Sequence, residues 1–409
     1  MKIFNRKLKI TSFALLTLCM VFVMTACAEN SSQSEKSQPA EQTTVQPTTM
    51  SAEEINDRKL DKFISDMTLE EKVGQMFFVR CPDEDAVQHV SEYNIGGYIL
   101  FGRDFDGKTK DEVVDDIHSY QNEADIPLLI GVDEEGGTVV RVSSNPNLRE
   151  TPFLSPKDTY ADGGWDAVKQ DAEEKADLLL SLGINVNLAP VCDMTSDEYG
   201  FMYDRSFSSD VDMENRYVRT VVETSKSKKL GTVLKHFPGY GNNSDTHTGI
   251  AYDDRDYSEF ENTDFKPFYQ GIESGADCIL VSHNIVNCMD SEYPASLSQK
   301  VHDILRNEFK FDGVIMTDDL IMDAITDFTG DEAAAVTAAK CGNDLLCCSS
   351  VDTQYPAVLE AVQNGEISKA QVDASVKRIL KWKQNLGIFN IDTYQKKVKS
   401  TEPTDTVGS

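Results

Sequence analysis

The sequence lacks the short patterns that mark nucleotide and metal sites. No Gly-x-Gly-x-x-Gly loop follows an apolar run, so a doubly wound nucleotide-binding sheet is not indicated. No two of the nine cysteines are separated by two residues, the spacing typical of zinc sites. Seven cysteines lie in the body of the chain: Cys81, Cys192, Cys278, Cys288, Cys341, Cys347 and Cys348. Because an odd number cannot all pair and several lie in apolar runs, we expect most to be free and buried.

Positive charge is also scarce. The chain has 39 lysines and arginines against 69 aspartates and glutamates, which gives a net charge of −30. Residues 1–26 hold four basic and no acidic residues, so removing them would bring the net charge to about −34. Such a charge argues against binding to nucleic acid or to anionic lipid surfaces. We interpret it as a solvated surface that says little about the substrate.

One apolar run, from Phe13 to Val23, stands out near the start of the chain. Basic residues precede it and Met24-Thr25-Ala26-Cys27 follows it, which predicts a lipoprotein signal peptide over residues 1–26. The alternative is a membrane-spanning anchor, but the run is shorter than the roughly 20 residues that a span needs. Lipidation of Cys27 would hold the mature protein outside the cell, anchored to the bacterial membrane.

Composition divides the rest of the chain into three parts. Residues 27–52 are rich in Ser, Thr, Gln and Pro and nearly free of apolar side chains, which predicts a flexible tether. Residues 394–409 have a similar character and are predicted to be a disordered tail. The remaining segment, 53–393, has a length that suits one large α/β domain.

Apolar runs alternate with helix-like stretches along this domain. Eight runs are candidate strands: residues 76–79, 97–101, 128–132, 184–188, 232–234, 278–281, 313–316 and 344–347. Residues 111–123, 165–182, 213–229 and 332–340 have apolar residues three and four apart, which predicts helices between strands. The alternation predicts a (β/α)8 TIM-type barrel with a single catalytic domain.

A polar residue follows each predicted strand. These residues are Arg80, Arg103, Asp133, Asp193, Lys235-His236, His283-Asn284, Asp318-Asp319 and Ser349. In a barrel the carboxyl ends of all strands meet at one mouth, so we expect these side chains to surround a common site.

Two of these places carry residues suited to acid/base and nucleophilic chemistry. A Gly- and Asn-rich loop after Lys235-His236 brings Asp245 two residues before His247. A carboxylate can orient an imidazole and leave its other nitrogen free to exchange a proton with substrate. Asp318 and Asp319 follow a short apolar strand, where a barrel enzyme places catalytic carboxylates. Strand alternation predicts that Asp319 faces a different environment from Asp318.

Five motifs resemble glycoside hydrolase family 3, in its β-N-acetylhexosaminidase branch. They are Met67-Thr68-Leu69-Glu70-Glu71-Lys72-Val73-Gly74-Gln75, Asp133-Glu134-Glu135-Gly136-Gly137, Asp204-Arg205-Ser206-Phe207, Lys235-His236-Phe237-Pro238-Gly239 and Thr317-Asp318-Asp319. The resemblance covers nearly all of residues 55 to 390. Tyr240 departs from it, because the family commonly has histidine there, and the segment 241–245 is one residue shorter than the common pattern.

The resemblance implies a retaining mechanism without a metal or another cofactor. Asp318 would attack the anomeric carbon, and His247, oriented by Asp245, would protonate the leaving oxygen and later deprotonate water. A neutral histidine in this role avoids placing a second negative charge beside Asp318. The alternative is that His247 is a polar loop residue without a catalytic role.

For substrate binding the resemblance implies Asp133, Arg205, Lys235 and His236. A carboxylate, a guanidinium and an ammonium can together bind the ring hydroxyls of a sugar. The alternatives are a surface salt bridge between Arg205 and Asp204, and a hydrogen-bond network without ligand at Lys235 and His236. Arg141 and His283 are plausible supporting residues.

The sequence therefore predicts an exo-acting β-N-acetylglucosaminidase that removes terminal N-acetylglucosamine from peptidoglycan fragments or related glycans. The carbohydrate and the membrane, through the lipid on Cys27, are the expected partners. Three alternatives stay open: a β-glucosidase of the same family, a β-N-acetylglucosaminide phosphorylase, and a sugar-binding lipoprotein without catalysis.

Overall fold

The computed structural model describes residues 50–243, 246, 249–329 and 331–396. The compact unit that contains the barrel begins at Ser51. Its first helix begins at Ala52, because the Ser51 side chain accepts a hydrogen bond from the Glu54 amide and Glu54 returns one to Ser51.

The described residues contain one sheet of eight parallel strands. Numbered along the chain, they are β1 Phe77–Arg80, β2 Gly97–Leu100, β3 Leu129–Val132, β4 Val186–Asn187, β5 Gly231–Phe237, β6 Cys278–Val281, β7 Val314–Thr317 and β8 Leu346–Cys348. Each strand from β1 to β6 pairs with the strand that follows it in the chain, and β8 pairs with β1. A bridge between Met316 and Leu345 joins β7 to the residue before β8. The sheet therefore closes on itself.

This closure confirms the predicted (β/α)8 TIM-type barrel and all eight predicted strands. An open doubly wound sheet would leave two strand edges, and here the first and last strands are joined to their neighbours. Almost every strand residue is buried, since one face fills the barrel and the other packs against helices. Phe78 shows how tightly the interior is filled, because a Cβ added to Gly131 would lie 2.5 Å from its ring.

Helices surround the barrel. They are α1 Ala52–Asp66, α2 Leu69–Gln75, α3 Ala86–Tyr93, α4 Lys110–Glu123, α5 Pro156–Ser181, α6 Val211–Lys228, α7 Tyr257–Asn262, α8 Phe265–Ser274, α9 Gln299–Asp303, α10 Asp323–Thr329, α11 Asp331–Cys341, α12 Val351–Gln363 and α13 Lys369–Asn385. The motif that starts at Met67 owes its local structure to a capping box, in which Thr68 and Glu71 bond reciprocally at the start of α2. A similar box between Thr109 and Glu112 begins α4.

The packed body extends past residue 393, where the sequence predicts the tail to begin. The ring of Tyr394 lies 4.9 Å from that of Phe63 and 5.6 Å from that of Phe389. Lys396 forms an ion pair with Glu71. Within the part of the chain that the structure describes, no helix is both long and apolar enough to span a bilayer.

The seven described cysteines are free, as expected. Six are buried and Cys288 is exposed. Burial raises the pKa of the Cys81 thiol to about 12 and that of Cys341 also to about 12, so both stay protonated at neutral pH. These thiols are therefore core side chains and not nucleophiles.

Candidate active site

A cavity of about 380 Å³ opens at the carboxyl end of the barrel. Its lining includes seven residues that the sequence places after strands or in the loops beyond them: Arg80, Asp133, Arg205, Lys235, His236, Asp318 and Asp319. The strand ends thus converge as the barrel geometry requires. The structure brings five of the predicted site residues together here, since Asp133, Arg205, Lys235, His236 and Asp318 all line one space.

A buried ionic cluster forms part of the wall. The Lys235 Nζ lies 2.5 Å from the Asp133 Oδ1 and 2.6 Å from the Glu135 Oε1. The Arg205 guanidinium donates two hydrogen bonds to the Glu135 carboxylate, from Nε at 2.9 Å and from Nη2 at 2.8 Å. Arg205 thus pairs with Glu135 at the barrel mouth. The alternative, a surface salt bridge between Arg205 and Asp204, is not what the structure shows.

The electrostatics of this cluster keep Glu135 and Lys235 charged. Burial raises the pKa of Glu135, but the Lys235 ammonium and the Arg205 guanidinium outweigh it and hold that pKa well below its usual range. Burial lowers the pKa of Lys235, yet Asp133 and Glu135 raise it above its ordinary value. Lys235 therefore presents a fixed positive charge to the polar groups of a ligand.

Sequence reasoning did not single out Glu135 as a site residue, although it stands two residues after Asp133 in a quoted motif. The available signal is its place in that motif next to Asp133, together with the need of buried cations such as Arg205 and Lys235 for a counter-charge in contact with them.

His236 is held in one orientation and one tautomer. Its Nδ1 lies 2.6 Å from the Asp193 Oδ2, and its Nε2 lies 3.2 Å from the Arg205 Nη2. Because arginine has no acceptor atom, Nε2 must accept, which places the ring proton on Nδ1. Asp193 also accepts from the backbone amides of His236 at 3.0 Å and Tyr240 at 2.7 Å. The sequence marks Asp193 as a strand-end residue but not as the support of His236.

Lys235 and His236 are consecutive residues of β5, yet both line the cavity. In a regular strand their side chains would point to opposite faces. The pairing of β5 with β6 changes register between Leu234 and Phe237, and such irregularities redirect side chains at barrel rims.

Asp318 and Asp319 also line the same cavity, which corrects the expectation that they face different environments. Strand β7 ends at Thr317, so the alternation of side chains no longer applies beyond it. Their hydrogen bonds differ. The Asp318 Oδ1 accepts from the Asp319 amide at 2.9 Å, whereas the Asp319 Oδ2 accepts from the Ser349 hydroxyl at 2.6 Å.

Asp319 is supported from behind as well. Burial raises its pKa, and the hydrogen bonds from Ser349 and from the Ile321 amide offset only part of this effect. His283 is fully buried, with Nδ1 at 2.7 Å from the Ser296 hydroxyl and Nε2 at 3.0 Å from the Asp319 carbonyl. His283, which the sequence suggests as a supporting residue, therefore supports Asp319 through a hydrogen bond to its backbone carbonyl.

Two further guanidinium groups line the cavity, those of Arg80 and Arg141. The Arg80 Cζ lies 4.4 Å from the centre of the Phe101 ring, and the Arg141 Cζ lies 5.9 Å from it. Each Nε is buried and has no hydrogen-bond partner among the described residues. These two like charges beside one ring are suited to an anionic group of a ligand.

Three predicted residues lie outside the described part of the chain: Asp245, His247 and Cys27. Thr246, which stands between Asp245 and His247, is described, and its Oγ1 lies 2.6 Å from the Tyr240 hydroxyl. Among the described residues, no group of three or more histidine, cysteine, aspartate or glutamate side chains is arranged to hold a metal ion.

A parallel barrel with carboxylates and fixed cations around a cavity at its carboxyl end has the design of a glycoside hydrolase. The chain belongs to glycosyl hydrolase family 3, since residues 68–382 match the model of that family's N-terminal domain. This confirms the resemblance seen in the five motifs, and the protein is a glycoside hydrolase.

Individual relatives agree with this assignment. A beta-hexosaminidase from Hydrogenovibrio crunogenus is 31% identical over 286 residues, which cover 68% of this chain and 79% of that protein. A beta-hexosaminidase from Nitrosomonas eutropha is 32% identical over 279 residues, covering 66% of this chain and 78% of its own length. The solved family 3 beta-N-acetylglucosaminidase from Paenibacillus sp. str. FPU-7 superposes with a TM-score of 0.74 at 29% identity, covering 84% of this chain and 66% of that one.

Proposed function

We propose that this protein is an exo-acting, retaining β-N-acetylglucosaminidase that removes terminal N-acetylglucosamine from peptidoglycan fragments or related glycans. The observation that carries the proposal is the presence of the Asp318 carboxylate in the same cavity as the Asp133, Lys235 and His236 side chains. The relatives named above are hexosaminidases, which supports the acetamido sugar over glucose.

In the proposed reaction, Asp318 attacks the anomeric carbon while the bond to the leaving oxygen breaks. His247, oriented by Asp245, gives its proton to that oxygen. The resulting glycosyl ester on Asp318 is then cleaved by water, whose proton returns to His247, so the product keeps the β configuration. Asp133 and Lys235 bind the ring hydroxyls, because the ion pairs of Lys235 with Asp133 and with Glu135 hold both side chains at the cavity wall.

The substrate is proposed to carry a negative charge next to the cleaved bond. Arg80 and Arg141 line the cavity with buried Nε atoms that have no partner in the described part of the chain. N-Acetylmuramic acid, the sugar that alternates with N-acetylglucosamine in peptidoglycan, carries a free carboxylate wherever its peptide has been removed, and two guanidinium groups would bind that carboxylate. This feature favours a cell-wall fragment over a chitin fragment.

The proposed location is the outer face of a bacterial cell membrane, with a lipid on Cys27. The basic start, the apolar run and Cys27 support it. Expression of the wild type and of Cys27→Ser in a bacterium that processes lipoproteins would check this. The wild type is expected to incorporate labelled palmitate and Cys27→Ser to incorporate none, whereas equal labelling of the two would contradict lipid anchoring at Cys27.

Activity is best tested on the purified full-length protein with the p-nitrophenyl β-N-acetylglucosaminide and the p-nitrophenyl β-glucoside. We expect hydrolysis of the acetamido substrate with much slower cleavage of the glucoside. Asp318→Asn should lower kcat by at least about 1,000-fold, as loss of a nucleophile does. Asp319→Asn is the matched control and should keep most activity.

The identity of the nucleophile has a direct readout. A 5-fluoro-N-acetylglucosaminyl fluoride slows hydrolysis of the glycosyl ester, so digestion and fragmentation of the labelled peptide by tandem mass spectrometry should place the label on Asp318. A label on Asp319 would exchange the two roles. Formation of N-acetylglucosamine 1-phosphate when phosphate is added would indicate phosphorolysis, and no turnover of any substrate would point to a binding lipoprotein.

A further inference from the structure

Asp318, the proposed nucleophile, is held through backbone groups at the end of β7. Its own amide donates to the carbonyl of Val281, the last residue of β6, at 3.1 Å. The amide of Asp319 donates to the Asp318 Oδ1 at 2.9 Å, which limits rotation of the carboxylate. The direction in which the Asp318 carboxylate points therefore depends on where the backbone of Asp319 lies.

That backbone is held by a buried histidine. The His283 Nε2 lies 3.0 Å from the Asp319 carbonyl oxygen, which also accepts from the Met322 amide at 3.1 Å. Because a carbonyl oxygen can only accept, the His283 Nε2 must carry a proton and donate it. His283 lies two residues beyond Val281, so one strand end holds the backbone on both sides of the nucleophile.

The His283 ring is anchored at its other nitrogen as well. Its Nδ1 lies 2.7 Å from the Ser296 hydroxyl oxygen, and the Ser296 amide donates to the Ser282 carbonyl at 2.9 Å. Both His283 and Ser296 are fully buried, and neither lines the active-site cavity. The ring therefore does not touch substrate, and it can act on the reaction only through its neighbours.

We propose that His283 is a positioning residue, which sets the direction of the Asp318 carboxylate through its hydrogen bond to the Asp319 backbone. The inference rests on the proposed function, because it needs Asp318 as the nucleophile. A catalytic group misplaced by about 1 Å can react about 100-fold more slowly. The sugar-binding side chains are held by Glu135 and Asp193 instead, so loss of His283 should slow the attack and leave binding of the sugar nearly unchanged.

The test removes the donor, keeps it, or releases the ring. His283→Leu deletes the hydrogen bond to Asp319, and His283→Gln keeps an N–H group near the place of Nε2. Ser296→Ala leaves the imidazole but deletes the hydrogen bond at its Nδ1. Each full-length variant is treated with 5-fluoro-N-acetylglucosaminyl fluoride, and the rate of labelling at Asp318 is followed by mass spectrometry. Fluoride departs without a general acid, so this rate reports the attack by Asp318 separately from the acid/base.

The expected result is a slower attack at unchanged affinity. In His283→Leu, the limiting rate of labelling should fall about 10- to 100-fold, while the reagent concentration that gives half of it stays within about two-fold. Ser296→Ala should lose less, about three- to 10-fold, because the ring keeps its bond to Asp319. His283→Gln should recover to within about three-fold of the wild type.

A second buried histidine separates positioning from a general loss of stability. His302 is 1% exposed, and its Nδ1 lies 2.7 Å from the Ser298 carbonyl oxygen. It does not line the active-site cavity. His302→Leu therefore removes the same kind of hydrogen bond from the protein core. It should lower the midpoint of urea unfolding and still be labelled at the wild-type rate.

Other outcomes would overturn the inference. Labelling of His283→Leu at the wild-type rate would leave the hydrogen bond without a part in catalysis, although the proposed function would stand. A loss in His283→Gln as large as in His283→Leu would show that packing of the ring matters and the N–H group does not. If His283→Leu does not fold, wild-type labelling of Ser296→Ala contradicts the inference. Absence of the label from Asp318 in the wild type would defeat the proposed function and this inference together.

Discussion

At the scale of single residues, the site depends on charges that neutralise one another. Lys235 and Arg205 share the Glu135 carboxylate, and Lys235 also pairs with Asp133. Breaking a buried ion pair by removing one partner costs more than the pair contributes, because a buried charge is left uncompensated. Glu135 therefore has to be judged by stability as well as by activity.

Glu135→Gln should lower the free energy of unfolding by about 3 to 5 kcal/mol at pH 7. Because the folded-state pKa of Glu135 lies below its ordinary value of 4.5, its contribution is present above that pH. It is lost as the pH falls toward the lower folded-state pKa. Urea unfolding at pH 7, 5 and 3 should show the difference from wild type shrinking with acid.

The control for this variant is Glu174→Gln, which breaks a surface pair with Arg149 in which both side chains are about a third or more exposed. It should change stability by less than about 1 kcal/mol. A loss at Glu135 that is no larger than at Glu174 would show that the cluster does not depend on Glu135.

Arg80 is expected to determine the preference for a charged substrate. Arg80→Met should lower kcat/KM about 10- to 100-fold on the disaccharide of N-acetylglucosamine and N-acetylmuramic acid, as loss of a charged hydrogen bond does. On N,N′-diacetylchitobiose it should stay within about two-fold. Arg103→Met is the control, because Arg103 pairs with Asp83. Equal losses of kcat/KM on both disaccharides would contradict the proposal that Arg80 binds an anionic group of the substrate.

At the scale of elements, the segment after β5 is held by an ionic contact at its base. Arg255 donates to the Asp264 carboxylate at 2.9 and 3.1 Å and to the Gly239 carbonyl at 3.2 Å. Arg255 also pairs with Asp253, whose short strand Tyr252–Asp253 lies beside Ile285–Val286. The chain thus has fixed points on both sides of the predicted dyad.

Gly239→Ala should disturb this base. Gly239 has φ +121°, and an added Cβ would lie 2.3 Å from the Asp264 Oδ1. Gly107 also has a positive φ, of +72°, but an added Cβ would meet nothing within 4 Å. Gly107→Ala should therefore cost only the backbone term of about 1 kcal/mol and keep activity.

Gly239→Ala should lower stability by more than Gly107→Ala does, and it should also lower kcat at least about 10-fold. Misplacement of a catalytic group by even about 1 Å lowers the rate of the chemical step. Thermal unfolding and kcat of both variants give the comparison. Equal behaviour of the two variants would mean that contact with Asp264 has no part in the site.

The first residues of several helices can be predicted from local sequence patterns alone. The capping boxes at Ser51, Thr68 and Thr109 begin helices where hydrogen-bonding side chains allow. The α5 segment Pro156–Ser181 is broken by non-helical backbone at Gly163 and Gly164, so its second part agrees with the helix predicted over residues 165–182. The first part, which Ser155 caps and Pro156 begins, is not among the predicted helices. The predicted helix at residues 213–229 differs from α6 by only a few residues.

At the scale of the whole molecule, one buried lysine makes stability depend on pH. Lys383 in α13 is fully buried, and its ammonium donates to the Gln75 Oε1 at 2.7 Å. Burial lowers the pKa of Lys383 to about 7. Its ordinary pKa is 10.5, so between these values the unfolded chain binds a proton that the folded protein does not.

Wild-type stability should therefore rise with pH between 7 and 10 relative to Lys383→Met, which carries no charge. Below pH 7 the folded protein buries an ammonium, and the variant should be more stable by a few kcal/mol. Urea unfolding at pH 6, 8 and 10 measures the difference. Lys381→Met, which removes a surface partner of Asp57, should show no such trend, and a flat difference for Lys383→Met would contradict the buried charge.

The sequence by itself determined the barrel, because eight apolar runs separated by amphipathic stretches can bury their side chains in few other ways. It also placed Asp133, Lys235, His236 and Asp318 at one mouth, since parallel strands share a carboxyl end, and the resemblance to the family added Arg205. Only the tertiary structure decided how they pair. Glu135 lies 70 residues from Arg205 and Lys235 lies 102 residues from Asp133, and no local pattern reports contacts at such separations.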